Sequence, residues 1–329
     1  MVIAMKEKWK EVIFVLALGL VAPSLVLTFV KTDDVPRSVI PEVTEETVPT
    51  ETEPKKFNLS VEMEDGSVRE LELETYVTAV VLREMPAEFE PEALKAQAVV
   101  ARTYALRRFV SDSKHENAVV CTNPSCCQGY FSEESFVAAG NSTDLLKKVK
   151  KAVAETAGYV LTYEGKLAEA TYFSCSGGMT EDAEAVWGQD IPYLRATESA
   201  GEERAAHFTD TVIFTADEFA ERLGGGFSGL PGAWIGEITY TDGGGVDTIV
   251  LGDCTYTGTE LRKLLGLRST AFVITIVGDR VTVTTKGFGH RVGMSQYGAD
   301  AMALKGSTYD EILAHYYQGT ALELFDTGN

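Results

Sequence analysis

Arg83-Glu84-Met85-Pro86, followed by Pro91-Glu92-Ala93-Leu94-Lys95-Ala96-Gln97-Ala98-Val99-Val100-Ala101-Arg102-Thr103-Tyr104-Ala105, is the densest stretch of the chain. Proline stops one helix and opens the next, so the reading is a helix over Glu74–Arg83 that ends before Pro86 and a second from Pro91 to about Phe109. In that second helix Lys95 and Arg102 stand seven residues apart and share a face, while Leu94, Ala98, Ala101 and Ala105 form another. The alanine stripe permits close packing, although a plain amphipathic helix gives the same pattern. Glu84 lies outside that helix, at a helix end against Met85 and Pro86. Apolar neighbours there raise a carboxyl's pKa and keep it protonated for general-acid work; a surface glutamate is the plain alternative.

Working outward, Phe57–Glu62 and Ser67–Leu73 alternate around the turn signal Glu64-Asp65-Gly66, which predicts a β-hairpin. Asp144–Ala157 has helical periodicity stopped by Gly158, and Tyr159–Tyr163 with Leu167–Ser174 reads as a hairpin turning at Glu164-Gly165. Beyond Gly201 the pattern predicts a helix at Ala216–Leu223 and strands at Trp234–Tyr240, Thr248–Leu251, Phe272–Val277 and Arg280–Thr285. Helices follow near Met294–Leu304 and at Tyr309–Tyr317, the latter opened by Thr308 with Glu311 three residues on, a capping-box pattern. With no internal repeat, the fold class is α+β, mixed helices with small antiparallel sheets.

The chain has 329 residues, 45% hydrophobic and 24% charged, enough to bury a sizeable core, and its net charge of −20 without a Lys/Arg stripe excludes a nucleic-acid partner. Val12–Val30 runs 19 residues without a charge, which reads as a single transmembrane anchor, with a cleaved signal peptide as the competing reading. Lys6, Lys8 and Lys10 precede it and Asp33 and Asp34 follow, so residues 1–11 form a cytoplasmic tail and the body lies outside the cell membrane. Residues 31–56 carry seven carboxylates from Asp33 to Glu53 against Arg37 alone, an extended acidic tether. The catalytic or binding body is then 57–329.

Cys121, Cys126 and Cys127 cluster within seven residues, with His115 shortly before them. These four side chains are the right number and kind for a tetrahedral Zn²⁺ site, while a disulfide between Cys121 and Cys126 or Cys127 competes outside the cytoplasm. Four protein ligands would make the metal structural, because no position stays open for water. Gly177-Gly178 and Gly287, Gly289, Gly293 either let backbone approach a polymer closely, with Ser, Gln, Tyr and His side chains offering hydrogen bonds, or serve tight turns only. His290 is either a groove residue or a satisfied core histidine.

The two motifs above, with Tyr172-Phe173-Ser174-x-Ser176-Gly177-Gly178 and Gly287-x-Gly289-His290-x-Val292-Gly293-Met294-Ser295-Gln296-Tyr297-Gly298-Ala299, resemble the stage II sporulation protein D family over the whole body. The resemblance implies a lytic transglycosylase that cleaves MurNAc–GlcNAc bonds of peptidoglycan glycan strands stripped of stem peptides, during septal remodelling and engulfment. It implies a cell-wall amidase and a further membrane protein as partners, and Glu84 as the catalytic acid. A single acid/base suffices in such a reaction because the muramyl C6 hydroxyl is the internal nucleophile and closes a 1,6-anhydro ring. Two lobes forming a glycan-binding groove are expected, with Lys95, Arg102, Tyr104, Ser174, Ser176, Gly177, Gly178, His290, Ser295, Gln296 and Tyr297 as substrate-binding residues. Some clostridial relatives resemble this chain in the metal cluster too, with Cys126 here in place of a second histidine. Arg291 departs from the glycine common at its position, which puts that loop's backbone in question. The alternative function is a glycan-binding activator of an amidase that does not itself cleave.

Overall fold

In the computed structural model, which describes residues 57–111 and 113–325, the hairpin forms as predicted. Asp65 Oδ1 accepts from the Ser67 N–H at 2.9 Å, and β1 (Asn58–Glu62) pairs antiparallel with β2 (Val68–Glu72). The first helix, α1 (Leu73–Glu84), begins where the hairpin ends, because the Glu72 carboxylate accepts the Thr75 N–H. It stops at Met85, whose extended backbone leads into Pro86.

The second helix, α2 (Pro91–Val110), differs from its expected amphipathic character. From Ala93 to Leu106 every side chain except Lys95 is buried, so the helix is the axis of the fold. The helices Thr143–Glu155, Gln296–Leu304 and Tyr309–Tyr316, the strand Tyr159–Tyr163 and α1 pack around it. The alanines at 96, 98, 101 and 105 allow that approach from several sides.

Two expectations need correction. The hairpin after Tyr163 returns only through Lys166–Leu167, since the Glu169 N–H is taken by Tyr193 Oη and the Thr171 hydroxyl by the Val292 carbonyl. Tyr172–Phe173 instead pairs in parallel with Met294–Ser295, and the helix expected from Met294 starts at Gln296, with the Ser295 hydroxyl as its N-cap. Strand Ala321–Leu324 closes the sheet against Tyr159–Tyr163.

A second hydrophobic core, around Phe214, Phe219, Trp234, Ile249, Leu261, Val281 and Val283, gathers the stretch from Thr209 to Lys286. Its strands, Thr209–Thr215, Ile235–Tyr240, Val246–Leu251, Cys254–Thr257, Phe272–Val277 and Arg280–Lys286, form two three-stranded antiparallel sheets. Arg291 joins the two regions. Its backbone is left-handed at φ +68°, and its buried guanidinium donates to the carbonyls of Ser176 (2.8 Å), Met179 (2.8 Å) and Gly243 (2.6 Å) and pairs with Glu181 at 3.0 Å. The strained backbone is held by these four contacts at once. The tail, span and tether predicted at 1–11, 12–30 and 31–56 lie outside the described residues. Among the described residues no helix is long and apolar enough to cross a membrane.

Candidate active site

Glu84 is the last residue of α1, where the helix carbonyls point at it and disfavour a negative charge. Burial pushes its carboxyl above the usual range, against three influences that favour the anion: the Gly129 N–H, the Tyr172 hydroxyl and the neighbouring Arg83 charge. The Gly129 N–H reaches Oε1 at 2.5 Å. Gly129 has to be glycine here, since a Cβ would lie 2.5 Å from Arg83 Cγ and 2.9 Å from Glu84 Oε1.

A buried chain of hydrogen bonds supports the acid. Tyr76 Oη donates to Gln128 Oε1 at 3.1 Å, Gln128 Nε2 donates to Tyr172 Oη at 3.2 Å, and the Tyr172 hydroxyl lies near Glu84, whose anion it favours. Burial pushes both tyrosines well above their ordinary pKa, so Tyr172 stays a neutral donor.

Two cavities share Arg83, Glu84, Ser174 and Gln296 in their walls. The larger, about 600 Å³, also has Tyr104, Gln128, Tyr172, Phe288, Gly289 and His290, and Glu84 is its only carboxylate. The smaller, about 420 Å³, adds Met85, Pro86, Glu88, Phe131 and Tyr297. The stretch 209–286 supplies no wall to either, so the expected groove between two lobes is not what these cavities form.

Six of the expected residues therefore meet here: Glu84, Tyr104, Ser174, His290, Gln296 and Tyr297. Tyr104 is buried with its hydroxyl unpartnered. His290 accepts the Val292 N–H on Nδ1 at 3.1 Å, and burial, then the Arg262 charge, pushes its pKa down to about 4. It is a neutral plate, not a proton carrier. Trp187, which sequence reasoning passed over, lies 39% exposed with its ring 5.4 Å from that imidazole. An exposed aromatic beside a polar cavity suits a sugar face.

The other expected residues line neither of these two cavities. Arg102 is fully buried; it pairs with Glu74 at 2.5 Å through Nη2 and at 2.8 Å through Nε, and donates to the Tyr159 carbonyl at 3.0 Å. Lys95 sits between Glu92 (2.8 Å) and Glu155 (2.7 Å), in a separate depression. Ser176 gives its hydroxyl and N–H to the buried Glu202. Gly177 lies where a Cβ would come 2.8 Å from the Gly287 N, Gly178 takes φ +117° in the same turn, and Ser295 is consumed as a cap. In this structure the hydroxyls of Ser176 and Ser295 are engaged within the fold, and Gly177 and Gly178 sit in a turn.

The predicted metal cluster assembles. His115 Nε2 lies 3.4 Å from Cys127 Sγ and 3.7 Å from Cys126 Sγ, the two sulfurs are 4.0 Å apart, and the four ligand atoms with Cys121 fall within 4.8 Å of one another. A tetrahedral centre with bonds of about 2.0–2.3 Å separates its ligand atoms by roughly 3.5–3.8 Å, so the set fits a metal ion with little adjustment. Glu62 Oε2 holds His115 Nδ1 at 2.9 Å, the outer carboxylate that fixes a metal-binding imidazole. All three cysteines are free thiols. Burial pushes Cys121 up to about 12, so a cation would have to displace its proton. The cluster and Glu84 are joined by chain: Gly129, whose N–H donates to Glu84, is two residues past Cys127 of the cluster.

Comparison with known proteins places this geometry. A family model described as "Stage II sporulation protein" matches residues 62–163, the segment that holds α1, α2 and the cluster. Stage II sporulation protein D of Bacillus subtilis (strain 168) is 44% identical over 265 residues, 79% of this chain and 77% of that protein. The protein of the same name from Bacillus amyloliquefaciens is 42% identical over 266 residues, 79% of this chain and 77% of that protein. An amidase enhancer of Bacillus subtilis (strain 168) is 29% identical over 297 residues, 74% of this chain but 39% of its own length.

Proposed function

The chain belongs to the stage II sporulation protein D family, and on that premise we propose that it is a lytic transglycosylase acting on peptide-stripped glycan strands of peptidoglycan. The observation that carries this reading is Glu84, the one carboxylate of the larger cavity, held with its pKa raised by burial. In the proposed reaction Glu84 protonates the MurNAc–GlcNAc oxygen, and its carboxylate then takes the proton from the muramyl C6 hydroxyl as that oxygen closes on C1. Tyr172 and the Gly129 N–H steady the carboxylate through the exchange. A strand crossing both cavities would meet Ser174 and Gln296 in both, Tyr297 in the smaller, and Tyr104 and the Trp187–His290 pair in or beside the larger.

The metal of this reading is zinc, structural, held by His115, Cys121, Cys126 and Cys127. Bound there, it would brace the loop that delivers the Gly129 N–H to Glu84, and take no part in the chemistry, because four protein ligands fill its sphere. Metal analysis should return one zinc per chain, lost in Cys121→Ser. The uncharged Val12–Val30 supports a membrane anchor with the body outside the cytoplasm; the family membership and the amidase-enhancer relative support work in the septal wall during engulfment, together with an amidase and a membrane partner.

The amidase-enhancer relative favours a second reading, a strand-binding activator without cleavage. Mass spectrometry of stripped strands incubated with the full chain separates the two. Anhydro-muramyl ends that vanish in Glu84→Ala and persist in Glu88→Ala support the transglycosylase. Reducing ends that require both residues would indicate a two-carboxylate hydrolase. Strand binding with no cleavage by the wild type would establish the activator.

A further inference from the structure

Arg83 is exposed, in the last turn of α1, and lines both cavities around Glu84 as well as the neighbouring one of about 700 Å³ over the metal cluster. It is the only lysine or arginine in the walls of the two Glu84 cavities. Most other arginines of the body are engaged: Arg102 with Glu74, Arg107 and Arg108 with Glu169, Arg195 with Asp190, Arg204 with Asp300, Arg268 with Asp210, Arg291 with Glu181. Among the described residues no carboxylate pairs with Arg83 and no acceptor takes its protons. Its stem is nonetheless placed, since Gly129 closes over Arg83 Cγ and Glu84 Oε1 together.

An unpaired guanidinium next to a catalytic acid, in a chain of net charge −20, selects for an anion at that point of the substrate. In the strand proposed above, the two sugars differ by the 3-O-lactyl group, which ends in a free carboxylate once the stem peptide has been removed and in a neutral amide while the peptide is attached. Resting on that reading, we propose that Arg83 binds the lactyl carboxylate of the muramyl residue whose bond is cut. This contact would set the register, placing MurNAc and not GlcNAc on the cleaved side of Glu84. It would also make a stripped strand a better substrate than a peptide-bearing one, because the amide leaves the guanidinium without its partner.

The test compares the full chain, Arg83→Gln and Arg83→Lys on two substrates: stripped strands, and the same strands with their lactyl carboxylates capped as methylamides. Wild type should lose about 10–100-fold in kcat/KM on the capped strands, the worth of a charged hydrogen bond. Arg83→Gln should cleave both at that lower rate, and Arg83→Lys should keep part of the preference. A preference of wild-type size surviving in Arg83→Gln, or no preference in wild type, overturns the proposal. Melting temperatures establish that the variants are folded, as expected for an exposed side chain. Should wild type cleave neither substrate, the transglycosylase reading fails, and the ratio of dissociation constants for the two strands decides the Arg83 contact. A ratio above tenfold that Arg83→Gln abolishes upholds it, and equal affinities reject it.

Discussion

The end of α1 and the middle of α2 carry similar side chains and use them in opposite ways. Arg102 in α2 is a cation with every direction filled, by Glu74 and by the carbonyls of Tyr159 and Val153. Arg83 at the end of α1 is a cation left open, beside an acid whose burial favours the protonated form. A buried charge that is fully paired fixes a fold, whereas one that is free at a cavity wall waits for a ligand. The longer motif thus packs as the axis of the fold, and the short one before it reaches the cavities where the reaction is proposed.

The largest effects to be expected separate these two roles. Glu84→Gln should lower strand cleavage by about 10³-fold, within the range for removal of a general acid, and leave urea unfolding nearly as stable as wild type. Arg102→Met should do the reverse, costing about 3–5 kcal/mol of stability because Glu74 and the Tyr159 carbonyl lose a buried partner. An Arg102→Met protein with an unchanged urea midpoint and lost strand binding would break the comparison, returning Arg102 to the substrate.

Arg291 extends the contrast to a residue whose backbone is strained. Arg291→Gly should relieve about 1 kcal/mol of left-handed strain, yet leave Glu181 buried and unpaired at a cost of about 3–5 kcal/mol. The expected net loss is about 2–4 kcal/mol, read from chemical unfolding. A stabilised variant would mean that the ion pair between the two cores contributes less than the strain it holds. Smaller again, Gly129→Ala should reduce cleavage by about tenfold, since its Cβ would push Arg83 Cγ and Glu84 Oε1 from their places. Unaltered kinetics there would show that Glu84 does not need the Gly129 N–H.

What was legible in the sequence follows the same division. The hairpin at Asp65-Gly66, both helices and four of the six strands of the second core, all but Thr209–Thr215 and Cys254–Thr257, are marked by local signals, Pro91 at a helix start, glycine turns and the Thr308/Glu311 pair, whose Glu311 carboxylate accepts the Thr308 N–H at 3.0 Å. The parallel pairing of Tyr172–Phe173 with Met294–Ser295 joins segments far apart in the chain and leaves no local mark. The closeness of the His115/Cys121/Cys126/Cys127 set was legible from residue type and spacing, and Glu84 was singled out from its motif. Tyr172, Gln128 and Gly129 around the acid were not assigned roles, because only the tertiary fold brings them there. Lys95 and Arg102 have carboxylate partners that the sequence did not foretell: spacing puts two residues on one face, but does not say whether that face meets solvent or Glu74.

The smallest effect concerns the same acid in the folding equilibrium. Because burial raises the Glu84 pKa above its unfolded value, the folded state binds that proton more tightly than the unfolded chain. Stability contributed by the protonated group is fully present below the unfolded pKa and declines as pH rises through the folded one, above which the penalty of the buried anion is constant. Glu84→Gln carries no such proton. Its stability relative to wild type should therefore increase across that window and level off at neutral pH, with no increase at a pH where both forms of wild type are protonated. Urea midpoints of the two proteins, measured from acid to neutral pH, give the difference directly. A flat difference would mean that the Gly129 N–H, the Tyr172 hydroxyl and Arg83 together cancel the desolvation. Glu84 would then enter the cavity as a carboxylate, and the acid of the reaction would have to be sought elsewhere.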